Sequence, residues 1–222
     1  MIEEPKTVGR LIGVLLLVQI AAGIAANFVL LAPVFAEPGF LTNAALHPHR
    51  VGLSVLIGLL TGAISVGIAI VAFPVFRQSS RAMALWFLSL AVVGLSTTAL
   101  EQISVLGLLS LSQAYGQASP PDENLFQALR GVVASLRNWA HYTNLIMGGG
   151  FVFIFYAVLL RFALIPRVLA GIGLVAVLLQ LTAVTMPLFG QSVVMPMLMP
   201  LGLTHLVVAC WLIAKGLKVR VA

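Results

Sequence analysis

The chain reads as an all-α integral membrane protein of six transmembrane helices with both termini cytoplasmic, and three observations lead there. Of its 222 residues 61% are hydrophobic and only 8% are charged, against about 25% charged in a soluble domain. Apolar runs of about 20 residues recur along it, where barrel strands would show alternating segments of about 10. The basic residues collect unevenly at the ends of these runs. Lys6, Arg10, Arg77, Arg81, Arg161, Arg167, Lys215, Lys218 and Arg220 fall on one side, and Arg50, Arg130 and Arg137 on the other. Because Lys and Arg mark the cytoplasmic face, this imbalance orients the chain.

Topology therefore accounts for the net charge of +6 and the pI near 10.3. The basic residues are not clustered on a soluble module, so no nucleic-acid partner is implied. The mean hydropathy of +1.12 fits one membrane domain spanning residues 1–222. A single cysteine, Cys210, excludes an intramolecular disulfide and a dithiol redox pair within the chain. The first apolar run follows Glu3, Glu4, Lys6 and Arg10 and exceeds the roughly 7–15 residues of a signal peptide core, so no cleavable leader is expected.

Taken in order, the first span covers residues 8–31, with Gln19, Gly23 and Asn27 at four-residue spacing as a polar stripe facing the bundle. A non-helical connection, Ala32 to Pro48, is broken by Pro33, Pro38 and Gly39. The second span, 49–76, carries Ser54, Gly58 and Gly62, a small-residue face that permits close backbone approach. The third, 82–116, meets no breaker until Ser119-Pro120-Pro121. At about 50 Å it should project past a hydrocarbon core of about 30 Å.

Residues 123–136 are amphipathic, with Leu125, Leu129, Val132 and Leu136 on one face and Ser119 or Asp122 as the cap. They either feed into the fourth span, 138–160, or lie along the interface. In the first case the third and fourth helices both project on the outer side. The fifth and sixth spans are 168–186 and 197–214, joined by a Met- and Pro-rich outer turn.

The polar residues of the spans gather toward one end. Arg137, His141, Asn144 and Gly148 share a helical face, since side chains three and four apart are neighbours. Glu101 shares a face with Gly94, Thr97, Thr98 and Ser104. Ionisable groups within hydrocarbon are unfavourable unless they face the bundle interior. Glu101, Arg137, His141, Asn144, His205, Arg50 and Gln180 are thus the candidate ligand-binding residues of an outward-facing site in the outer leaflet half. A neighbouring arginine, Arg137 or Arg50, is the expected partner that keeps Glu101 ionised.

The residue chemistry offers donors for two cofactors. His47 and His49 with Met186, Met195, Met197 and Met199 are donors suited to copper. His141 and His205 are candidate axial ligands to haem, although their estimated depths differ by about two helical turns. Neither pattern decides, and the cofactor stays open. No H-E-x-x-H, P-loop, G-x-S-x-G or Rossmann pattern is present.

Over about residues 8 to 217 the chain resembles the bacterial domain of unknown function 4386 family. The residues that carry the resemblance are Ala22-Gly23-Ile24, Arg50-Val51-Gly52, the start of span four at His141 running into Gly149-Gly150-Phe151, and above all the turn Ile165-Pro166-Arg167-Val168-Leu169-Ala170-Gly171. Family relatives often carry an aromatic and a glycine soon after the span-four histidine, where this chain has Tyr142-Thr143-Asn144. The resemblance implies a six-span protein of the bacterial inner membrane and no settled activity.

Two functions compete most closely. One is binding of a small amphiphile, lipid or quinone in the outer-half site. The alternative is a membrane enzyme or redox protein using Glu101, His141 and His205 for acid–base, metal or haem chemistry. Transport is disfavoured because no discontinuous half-helix pairs and no inverted repeat are evident.

Overall fold

The computed structural model describes residues 4–118 and 122–218. The described residues contain helices and no strands. Helix α1 (Pro5–Ile24) runs on through a π-helical segment (Ala25–Leu31) into α2 (Ala32–Phe35). Then come α3 (Phe40–Leu46), α4 (Pro48–Ser79), α5 (Arg81–Gln117), α6 (Glu123–Arg161), α7 (Arg167–Thr185) and α8 (Met199–Lys215). Six stretches are long and apolar enough to cross a membrane: Pro5–Phe35, Pro48–Ser79, Arg81–Gln117, Glu123–Arg161, Arg167–Phe189 and Met195–Lys215. This is a multi-pass membrane protein. The proposed breaker Ser119 to Pro121 and the charge at Arg220 lie outside the described residues.

Two expectations need correcting. First, the connection Ala32 to Pro48 is largely helical. Pro33 sits where the π-helical segment passes into α2, and its missing N–H leaves a carbonyl of the preceding turn without that helical donor. Gly39 opens α3 at φ 112°, a region that favours glycine. Buried Asn43 then donates from Nδ2 to the carbonyls of Pro33 (3.3 Å) and Ala36 (2.8 Å). Second, the Gln19, Gly23, Asn27 stripe does not continue as one face. The π-helical segment rotates its end outward, leaving Asn27 exposed and donating to its own Gly23 carbonyl at 3.0 Å. Gln19 does bond across helices, its Nε2 donating to Ser65 Oγ at 2.6 Å.

Of the two alternatives for residues 123–136, the structure has the first: they feed into the fourth span as the first turns of the uninterrupted helix α6. Asp122 caps it, accepting from the Leu125 amide at 3.1 Å. The apolar face Leu125, Leu129, Val132 and Leu136 is exposed, whereas Phe126 on another face is buried.

The chain divides into two compact units, the first comprising Met1–Ile20, Ala63–Leu95 and Leu145–Ala222, the second Ala21–Gly62 and Ser96–Asn144. In the first unit the core centres on Ile12, Phe76, Phe87, Tyr156, Leu159 and Leu212. Phe87 and Phe151 stack with ring centres 4.3 Å apart. Helix α1 meets α8 so closely that a Cβ at Gly13 would lie 2.7 Å from the Ala209 carbonyl oxygen. In the second unit Val34, Phe40, Ala44, Val51, Val55, Val105, Leu108 and Phe126 form the core. Ser112 of α5 holds α3 against it, donating to the Leu41 carbonyl at 2.8 Å and accepting from the Ala45 amide at 2.8 Å.

Candidate functional site

Within the second unit α5 and α6 run antiparallel and stay in contact along their length. Tyr115 donates to Glu123 at 2.9 Å and packs edge-on against Phe126. Two turns along α5, a Cβ at Gly107 would lie 3.9 Å from Val133. Farther along, Glu101 meets His141, and Thr98 meets Asn144. Moving back along α5 moves forward along α6 by a similar number of residues, as expected of antiparallel helices with the same rise per residue. This register sets the site.

His141 Nδ1 and Glu101 Oε1 are 2.7 Å apart. An ionised carboxylate only accepts, so Nδ1 carries the hydrogen. Asn144 Nδ2 donates to the other carboxylate oxygen, Oε2, at 2.6 Å. The orientation of that amide is set from behind, because Thr97 and Thr98 both donate to its Oδ1, at 3.0 and 3.1 Å. The hydroxyls of α5 thus direct an amide of α6, which with the imidazole fixes the carboxylate. Glu101 is buried, its side chain 11% exposed, and His141 is 31% exposed.

The ring nitrogen Nε2 of His141 makes no hydrogen bond to another described residue. One turn before it, the guanidinium carbon of Arg137 sits 5.4 Å from the centre of the Phe35 ring. Nη1 of Arg137 reaches Asn138 Oδ1 at 3.5 Å, the outer limit of a hydrogen bond. Its Nε is buried without an acceptor among the described residues.

Three of the candidate residues, Glu101, His141 and Asn144, are therefore directly bonded, with Arg137 on the same α6 face. The ion-pair partner of Glu101 is His141 and not the arginine expected from sequence. Register places the imidazole opposite the carboxylate, while Phe35 holds the guanidinium. Arg50 is exposed at the start of α4.

His205 and Gln180 belong to the first unit. His205 Nδ1 lies 3.2 Å from the hydroxyl of buried Tyr156. Gln180 Oε1 is buried without a donor among the described residues. Sequence reasoning missed Tyr156 and Phe35. The first was a lone phenol inside a phenylalanine-rich run and the second lay in a segment read as loop. No group of three or more His, Cys, Asp or Glu side chains that could hold a metal ion occurs among the described residues.

A family model described as Domain of unknown function (DUF4386) matches residues 11–216. The chain belongs to this family. No curated protein and no solved structure matches it. The DUF4386 match runs through both units and takes in Glu101, Arg137, His141 and Asn144.

Proposed function

We propose that this DUF4386 protein binds a small amphiphilic or lipid-like molecule, a quinone included, at Glu101, His141, Asn144 and Arg137. One observation carries the reading. The network satisfies Glu101 and Asn144 internally, yet His141 Nε2 and Arg137 Nε have no partner among the described residues. A few converging polar groups in apolar surroundings are the usual form of a small-molecule site. The reading uses residues of the second unit alone. It places the protein in the bacterial inner membrane with both termini cytoplasmic, supported by the distribution of Lys and Arg, so that the site opens outward.

Native mass spectrometry of the full chain in mild detergent tests it. The wild type should carry a bound amphiphile that is lost in His141→Ala and Glu101→Gln. A wild type without any adduct, or one retained in both variants, sinks the reading.

A second reading follows from the same imidazole. A histidine whose Nδ1–H is held by a carboxylate presents Nε2 as an oriented general base. Here the protein would be a membrane enzyme acting on a lipid-soluble substrate. Turnover abolished by Glu101→Gln would favour it, and turnover unchanged in both variants would exclude it.

A further inference from the structure

Resting on the binding reading above, we propose that the head group received at this site is an oxyanion, a carboxylate or a phosphate carried on an apolar chain, with Arg137 as its principal receptor. Both oxygens of Glu101 are already engaged, one by His141 and one by Asn144. No ion pair joins Glu101 to Arg137 among the described residues. The 2.7 Å contact of His141 with Glu101 falls in the range of a charge-assisted bond to an ionised carboxylate. The positive charge of Arg137 is thus left without a hydrogen-bonded counter-ion among the described residues.

Its guanidinium cannot lose that charge. Phe35 holds it in place, its contact to Asn138 is long, and its buried Nε lacks an acceptor. An unfilled donor on a charged group is strongly destabilising. His141 lies one turn along the same face, with Nε2 available to a bound head group. The planar guanidinium of Arg137 suits the oxygens of an anionic head group. A neutral ester or hydroxyl would fill the donors and leave the charge unbalanced.

The test uses the purified full chain in a non-ionic detergent, with oleate, monoolein, acetate and inorganic phosphate as probes. Oleate should bind at least about tenfold more tightly than monoolein, one charge-assisted hydrogen bond being of that order. Arg137→Gln should remove this preference by weakening oleate only. Arg137→Lys, which keeps the charge without the planar fork, should fall between. Monoolein binding as tightly as oleate to the wild type overturns the proposal, and needs no variant to fold. Displacement of oleate by acetate or phosphate alone would mean a free anion as the ligand, and overturns the apolar-chain half. Oleate binding that depends on His141 but not on Arg137 defeats this inference and leaves the binding reading standing. No binding of either amphiphile defeats both.

Discussion

Glu101 of α5 and His141 of α6, separated by 40 positions in the chain, share a 2.7 Å contact. Removing one partner leaves the other's polar group sheltered and unfilled. Glu101→Gln and His141→Ala should each destabilise the fold by about 1–3 kcal/mol. The double variant should fall short of their sum by about 1 kcal/mol, as contacting residues are coupled. Unfolding curves in detergent for all four proteins check this. Strict additivity would show that the pair contributes no joint stability.

Asn144 separates two hydroxyls from a carboxylate, with its amide hydrogens toward Glu101. Asn144→Asp keeps the size but puts a second carboxylate within bonding distance of the first. It should destabilise more than Asn144→Ser, by about 1–3 kcal/mol, since like charges at such range repel. The comparison is read from the two melting temperatures. An aspartate variant as stable as the serine variant would mean that the amide is not oriented as described.

Gly171 and Gly173 stand two residues apart on α7. A Cβ at Gly171 meets open space, whereas one at Gly173 would run into the ring of buried Tyr156. Gly171→Ala should be neutral or stabilising by up to about 1 kcal/mol through helix propensity. Gly173→Ala should destabilise by about 1–3 kcal/mol through overpacking. Equal melting temperatures would contradict the close approach of α7 to the tyrosine.

Gly58 of α4 lies under the amide of Gln102, where a Cβ would come within 2.5 Å of that side chain. The obstacle is the far end of a flexible residue. Gly58→Ala should therefore cost about 1 kcal/mol, and Gln102→Ala in the same chain should recover most of it. A Gly58→Ala defect that persists in the double variant would place the crowding elsewhere.

Orientation is open to thiol labelling in a Cys210→Ser background. Gln78 near the end of α4 and Gln191 between α7 and α8 are both exposed. With cytoplasmic termini, Gln191→Cys should react with an impermeant maleimide in intact cells. Gln78→Cys should react only after permeabilisation. The reverse pattern would invert the proposed topology.

Much of the site could be read before any coordinates. Arg137, His141 and Asn144 share a face by helical spacing, and Thr97, Thr98 and Glu101 share another; spacing within one helix is a local property. What spacing could not say was which residue of α5 stands opposite which residue of α6. An arginine was the natural partner for Glu101 on charge alone, but Arg137 packs on Phe35, in a stretch whose prolines and glycine suggested loop. Periodicity also left open which face of α6 turns inward, and Phe126 rather than the leucine stripe is buried.

The amino-acid sequence by itself determined a helical membrane chain with six crossing segments and its family, because hydrophobic length and family motifs are properties of contiguous residues. The tertiary structure alone decided that an imidazole and an amide hold Glu101, and that a guanidinium nearby keeps an unfilled donor. Those outcomes depend on helix register and side-chain packing, which are settled between segments far apart in the chain.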